Sequence, residues 1–135
     1  QSGDINYVAD TANVGTSSAA SYLTKPVVIE NLSTAIDVRL TSNIRSTSSV
    51  EVYFRTTSSE EARNINDLSW IPFNTTGTSD STVTPSEDSE TFKEYKYSTT
   101  GINEFTAFQI KIVMKGTNSA YPPVIRDMRG IALAV

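Results

Sequence analysis

The sequence contains neither histidine nor cysteine. Without cysteine there can be no disulfide bond and no thiolate metal site, and without both residues the commonest nucleophile–base pairs of enzymes are missing. No apolar run approaches the length of about 20 residues that a membrane-spanning helix needs. The formal net charge is −4, and no dense run of lysine and arginine marks a surface for nucleic acid or anionic membrane. We therefore expect no enzymatic activity, no cofactor or metal, and neither nucleic acid nor membrane as a partner.

Serine and threonine make up more than a quarter of the 135 residues, and the apolar residues fall in short runs. This composition favours exposed β-faces and turns, and the length suits a single domain with one core. Residues 1–20 are small and polar, which predicts an N-terminal arm or linker before a domain at residues 21–135. Because the chain opens at Gln1 without a leader, we expect a segment of a longer protein or a processed product.

Alternation of apolar and polar residues is the clearest pattern in the chain. In the segment 105–116, four inward candidates fall on every second position, which is the period of a half-buried strand: Phe108, Ile110, Ile112 and Met114. The segments 36–40 and 50–56 alternate in the same way, and we expect them to be neighbouring strands. The pattern predicts an all-β fold, an antiparallel β-sandwich, whose core includes Ile110, Ile112 and Ile131.

Several irregularities modify this β pattern. Lys25-Pro26 interrupts the run 22–29 and predicts an edge position or a bulge, because proline cannot donate to the ladder. The apolar side of the last strand changes near Arg129-Gly130, which predicts a bulge there. Trp70 is interpreted as a core anchor, and residues 74–90, rich in serine and threonine, are predicted to form a long mobile loop.

Carboxylates are the remaining candidates for acid–base chemistry. A glycosidase needs two acids a few ångströms apart in a cleft, and four strand residues could supply them: Asp37, Glu51, Glu94 and Asp127. These acids alternate with apolar residues or stand beside Lys93 and Arg126, so we interpret them as solvent-facing charges.

An acidic group in the long loop could in principle bind calcium through oxygen ligands: Glu87, Asp88 and Glu90. The group lacks the alternating ligand spacing and the fixed glycine of a calcium loop. We therefore interpret it as a solvated loop, and we expect chelator treatment to leave the melting temperature unchanged.

Four tyrosines could form a platform for a sugar or a protein partner, because each offers a flat apolar ring with a polar tip: Tyr53, Tyr95, Tyr97 and Tyr121. Core packing and strand propensity are the competing explanation, and the one we favour. Tyr121 has the best case for binding, since it precedes two prolines in a predicted loop. The N-glycosylation patterns at Asn31 and Asn74 are expected by chance in a chain so rich in serine and threonine.

Five segments carry a family resemblance: YLTKPV at 22–27, AIDVRL at 35–40, VEVYFR at 50–55, FKEYKY at 92–97 and FQIKIVMK at 108–115. The segment PVIRDMRGIA at 123–132 extends it. In these segments the chain resembles a domain of structural proteins from large contractile-tailed bacteriophages, most of all phages of marine cyanobacteria.

The resemblance implies a jelly-roll sandwich of the galactose-binding-like kind and a virion protein of the tail or baseplate. Such a domain would act through contacts with other virion structural proteins, as an oligomer within the particle, and the resemblance carries over no catalytic, cofactor-binding or metal residue. A carbohydrate-binding module that recognises host surface glycans is the alternative, and it would need an exposed aromatic cluster at one loop end. A hydrolase is the third and weakest hypothesis.

Overall fold

The computed structural model describes residues 5–8, 18–58, 64–81, 84–88, 90–116 and 124–134. These residues form nine strands: β1 Ile5–Val8, β2 Ser18–Thr24, β3 Val27–Ser33, β4 Ala35–Asn43, β5 Ser48–Thr57, β6 Ile71–Pro72, β7 Lys93–Thr99, β8 Phe105–Gly116 and β9 Val124–Leu133. Two short 3-10 turns, Ile65–Asp67 and Phe73–Thr75, complete the regular structure of the described residues. Neither turn has the length or the apolar character that a helix needs to cross a membrane.

The strands form two antiparallel sheets that pack face to face. The large sheet has the order β1-β2-β8-β5-β6, with β3 also paired to β8, and the small sheet has the order β7-β4-β9. From β3 to β5, and again from β6 to β9, each successive strand lies in the other sheet. This alternation is that of a jelly roll, and the predicted all-β antiparallel sandwich is confirmed.

The core consists of side chains that point inward from both sheets. Its largest fully buried members include Phe73, Tyr97 and Phe105. Ile110 and Ile112 are each 1% exposed, as the alternation in the sequence predicts. The prediction for Ile131 is wrong, because its side chain is 54% exposed on the outer side of β9.

The inner side of β9 carries Ile125 and Met128 and then only small residues. Met128 is buried, Ala132 packs against the core, and a Cβ atom at Gly130 would lie 3.8 Å from a Val38 methyl group. A small inward residue leaves no hydrophobic signal, so the larger Ile131 beside it misled the prediction. The β4–β9 register shifts where Thr41 and Ser42 face Asp127 and Ile125, so the bulge lies at residue 126 and not at residues 129–130.

The strands β4 and β5 are not neighbours, contrary to the sequence prediction. The chain crosses from the small sheet to the large sheet between Asn43 and Ser48 instead of forming a hairpin. The two apolar faces therefore meet across the core, and β5 pairs with β8, where Val52 lies opposite Ile112.

The N-terminal part of the chain contributes to the large sheet. The strand β1 pairs with β2, with Ile5 opposite Thr24, and β2 begins at Ser18 and pairs with β8. Two parts of the predicted arm therefore extend the sheet, while the division of the chain at residue 20 stays a prediction. Lys25-Pro26 separates β2 from β3, and both strands pair with β8. From Leu23 to Val27 the chain advances four residues while β8 advances three, from Lys111 to Phe108, so the predicted irregularity lies at the proline.

Candidate functional site

Residues 77–81 close the gap between the two sheets on the side where β5 and β7 lie. The carbonyl oxygen of Gly77 accepts a hydrogen bond of 2.9 Å from the Val52 amide. The backbone amide of Asp80 donates a hydrogen bond of 2.8 Å to the carbonyl oxygen of Lys96. Gly77 has a φ of +85°, and a Cβ atom there would lie 2.9 Å from the Cβ of Glu51. Only glycine suits this close passage over β5.

The Asp80 carboxylate holds this segment in place. It accepts hydrogen bonds from the Ser98 amide at 3.0 Å, the Ser98 hydroxyl at 2.6 Å and the Asn74 side-chain amide at 2.9 Å. Burial acts to raise the pKa of Asp80, but the hydrogen bonds from Ser98 and Asn74 outweigh it and hold the pKa below its ordinary value. The ionised carboxylate therefore stabilises the folded loop.

We expect Asp80→Asn to lower the melting temperature at pH 7 by a few degrees. The folded-state pKa is the lower one, so this stabilisation is complete above the unfolded-state pKa and is lost as the pH falls through the folded value. The variant should accordingly lose less stability than the native chain between neutral and strongly acidic pH. Thermal denaturation across that range measures both effects. Asp127→Asn removes the same charge from an exposed strand face and should stay near the native value at pH 7; equal melting of both variants at pH 7 would refute this role of Asp80.

A second loop segment, residues 84–88 and 90–91, is anchored to the end of β4. The Ser86 amide donates to Ile44 at 2.8 Å, and the side-chain amide of Asn43 donates to the carbonyls of Asp88 and Thr91 at 2.7 and 2.8 Å. The described parts of the predicted mobile loop are thus tied to the sandwich.

In the predicted acidic group of this loop, the Asp88 carboxylate is hydrogen-bonded within the loop itself. The Asp88 carboxylate accepts hydrogen bonds from the backbone amides of Glu90 and Thr91, which lower the pKa of Asp88. Within the described ranges, no three acidic residues are grouped as they would be around a metal ion.

A cavity of about 470 Å³ lies between the two anchored segments, and we call it the β5–β7 cavity. Its wall includes hydroxyl groups, one carboxylate and two aromatic rings: Ser48, Thr78, Ser79, Asp80, Tyr95 and Tyr97. Tyr95 is 3% exposed, and its buried hydroxyl finds no hydrogen-bond partner among the described residues. Burial raises the pKa of Tyr95 and Tyr97, so both phenols stay protonated at neutral pH.

The four tyrosines of the predicted platform do not come together. Tyr95 and Tyr97 point inward from β7, whereas Tyr53 lies on the outer side of β5 and donates a 2.8 Å hydrogen bond to Glu51. Burial and that hydrogen bond raise the pKa of Tyr53 to about 12. Tyr121 lies outside the described residues.

Trp70 is only partly buried, so its predicted role as a core anchor is wrong. Its ring lies 4.0 Å from the guanidinium carbon of Arg55 on the outer side of the large sheet. The core position is taken by Phe73 instead, because the turn after β6 directs that ring inward.

Three of the four candidate carboxylates share the outer face of the small sheet, where two arginines join them. Arg39 lies 3.2 Å from Asp37 and 3.4 Å from Glu94, and Arg129 lies 3.4 Å from Glu94 and 3.9 Å from Asp127. Each carboxylate is thus paired with a cation in a solvent-exposed network. The fourth, Glu51, lies on the large sheet, 3.1 Å from the Lys115 ammonium group.

No protein-family model and no curated protein sequence matches the chain. The β-sandwich of the described residues is similar to a solved structure, the enzymatically active domain of tailspike protein 4 from bacteriophage CBA120, with a TM-score of 0.52 and 11% sequence identity. The match covers 96% of this chain and 18% of that chain. At this identity the similarity shows the fold, and it is a phage tail protein that shares it. It does not bear on contractile tails or on cyanophages.

The expectation that the chain is not an enzyme is corrected by this match. The same fold occurs within a domain that is enzymatically active. The expectation depended on the missing histidine and cysteine, but carboxylates alone can perform general acid–base chemistry. Three carboxylates lie on the outer face of the small sheet. The lack of histidine and cysteine therefore does not exclude enzymatic activity.

Proposed function

We propose that the chain is a β-sandwich module of a phage tail that contacts other structural proteins of the virion, within an oligomer in the particle. The fold shared with a phage tailspike domain over 96% of the chain supports the tail setting. The resemblance of the strand segments supports a tail or baseplate protein of a contractile-tailed cyanophage. The observation that carries the contact role is an apolar edge of the sandwich.

This apolar edge is formed by β3 and β9, which lie against each other at the margins of the two sheets. In the described part of the chain, β3 pairs only with β8 and β9 only with β4, so each strand has one open side. Apolar side chains are exposed along both strands: Val27, Val28 and Leu32 on β3, and Ile131 and Leu133 on β9. Val28 is the most open of them, at 80% exposure.

An open strand edge with exposed apolar residues is a template for association, and soluble proteins normally protect such an edge with charges or a covering element. Neighbouring subunits in a particle would cover it. Contact through this edge therefore accounts for side chains that a solitary domain has no reason to expose.

Val28→Lys tests this surface. The lysine should leave the melting temperature nearly unchanged, because the side chain is exposed, and should reduce incorporation into particles at least about tenfold through the cost of burying a charge at a contact. Quantitative mass spectrometry of purified tails and antibody labelling of intact particles measure incorporation and location.

Ile71→Lys is the matched control, because Ile71 is also an exposed apolar residue but lies on β6, away from the apolar edge. It should be incorporated like the native chain. Absence of the native protein from tails would defeat the tail assignment, and normal incorporation of Val28→Lys would defeat the role of the edge.

A further inference from the structure

We propose that β9 pairs edge to edge with β9 of a second copy of this chain, so that two small sheets join into one antiparallel sheet. The strand lies at the margin of the small sheet and, among the described strands, pairs only with β4. The inference names one partner for the apolar edge and therefore rests on the contact role proposed above. It deepens that role by specifying which strand binds and in which register.

The backbone of β9 is better suited to pairing than that of β3. Every residue of β9 from Asp127 to Leu133 has a partner on β4 in an unbroken register. The register of β3 with β8 shifts between Val28 and Ser33, so the middle of β3 does not follow the ladder. Hydrogen-bonding groups on the open side of a strand are regularly spaced only where the strand itself is regular. Of the two strands, β9 therefore offers the template for another strand.

The charges of β9 stand in a self-complementary order. Asp127 and Arg129 flank Met128, and their side chains lie on the outer face, 52% and 65% exposed. A two-fold axis at Met128 places each Asp127 opposite Arg129 of the second copy. Charges often protect a strand edge from association, but opposite charges that face each other across an antiparallel pair stabilise it. The order of charges therefore favours pairing with an identical strand.

The bulge at Arg126 extends this match to apolar residues. Because an extra residue reverses the face of those before it, Ile125 packs against the core and Val124 lies on the outer face. If the joint omits Arg126 as the β4 ladder does, Val124 comes opposite Ile131 of the second copy. These two side chains are 47% and 54% exposed, so each would cover the other.

Gly130 is an independent sign of a neighbouring chain. Glycine within a strand weakens it and often marks a place where another backbone approaches closely. Nothing in the described chain requires glycine here, since its φ is not positive and a Cβ atom would meet Val38 and Phe108 at ordinary distances of 3.8 and 3.9 Å. In the proposed register Gly130 lies opposite Ile125 of the second copy. The missing side chain leaves room for that isoleucine.

The same pairing brings the β3 strands of both copies together. A two-fold axis perpendicular to the joined sheet keeps both large sheets on one side of it. Each β3 lies against its own β9, so both β3 strands approach the joint from that side. The exposed side chains of Val27 and Val28 then lie near the second copy instead of in open solvent.

Sedimentation velocity of the full chain, from about 1 to 500 µM, tests the pairing. We expect a monomer–dimer equilibrium with a Kd of about 1 to 100 µM, as suits a small interface. Arg129→Asp and Asp127→Arg each give positions 127 and 129 the same sign, so each variant should dimerise at least about tenfold more weakly. An equimolar mixture of the two variants should associate again, because every contact between 127 and 129 across the joint then joins an arginine to an aspartate.

Lys111→Asp is the matched control for Arg129→Asp. It makes the same change of charge on the outer side of the large sheet and should dimerise like the native chain. Circular dichroism should show that all three variants are folded. A native chain that stays monomeric at about 500 µM, or a mixture that associates no better than its separate components, would overturn the pairing of β9. The contact role is judged separately, by incorporation of Val28→Lys into tails.

The lack of cysteine in the native chain lets single thiols report the register. Val124→Cys and Ile131→Cys place thiols at exposed positions that the proposed register brings together. Mixed under air oxidation, these two variants should form a disulfide with each other in preference to themselves. Leu133→Cys, the next position on the same face as Ile131, should not capture Val124→Cys in this way. Preferential cross-linking of Val124→Cys to Leu133→Cys would refute the register.

Discussion

Ile112→Asp is expected to leave the chain unfolded at room temperature. Ile112 is 1% exposed in the middle of β8, between Tyr22 of β2 and Val52 of β5. Burying an unpaired carboxylate costs several kcal/mol, against a total stability of about 5 to 15 kcal/mol for a typical domain. Loss of the cooperative melting transition in circular dichroism would be the result, and a native-like transition would contradict the inward orientation of this side chain.

The adjacent residue provides the control. Lys111→Asp introduces the same aspartate one position earlier on β8, where the side chain points to the outer side of the large sheet. The variant should remain folded and melt only slightly lower, because it loses the contact between the Lys111 ammonium group and the Tyr53 ring at 5.5 Å. The contrast between two neighbouring positions tests the register of the central strand directly.

Arg55→Met is expected to destabilise the chain by about 3 kcal/mol. Arg55 is 7% exposed. Its guanidinium donates to the Gln109 side chain at 2.9 Å, to the Leu68 carbonyl at 3.0 Å and to the Asn66 carbonyl at 3.3 Å, and the Trp70 ring lies 4.0 Å from the guanidinium carbon. Burial lowers the pKa of Arg55, so the charge itself is held at a cost. Methionine preserves much of the volume but leaves these acceptors without a donor.

The effect should be local as well as global. Because Arg55 connects β5 to residues 66–70, amides of that segment should exchange faster with solvent in the variant than in the native chain. Arg39→Met, on the exposed face of the small sheet, should change the melting temperature little. Similar melting of the two variants would show that the burial of Arg55 adds no stability.

Much of the fold could be predicted from the sequence because the inward faces of its central strands carry an apolar residue at every second position. This alternation identified β4, β5 and β8 together with the core positions Ile110 and Ile112, although Arg55, Gln109 and Val113 are buried on the outer side of the large sheet as well. Strand partners could not be predicted in this way. Alternation shows which side of a strand is buried but not which strand lies beside it, so β4 and β5 were placed together although they face each other across the core.

The candidate site was beyond the reach of sequence patterns for a different reason. Residues 74–90 carry mostly short polar side chains and show no periodicity. This composition is typical of loops, whether or not hydrogen bonds fix them to the sandwich. The bonds that fix the cavity join Asp80 to Ser98 and Asn43 to Asp88 and Thr91. In the sequence, the glycine at 77, between threonines, was the one local sign of a constrained turn.

The position of β8 in the large sheet also determines when the protein can fold during its synthesis. This strand pairs with β2, β3 and β5, which all precede it in the chain. Until the ribosome has released residue 116, the three partner strands have no common neighbour and their apolar faces stay exposed. Folding is therefore dominated by contacts distant in sequence, which form slowly. A chain that stops before β8 is expected to aggregate instead of forming a smaller sandwich.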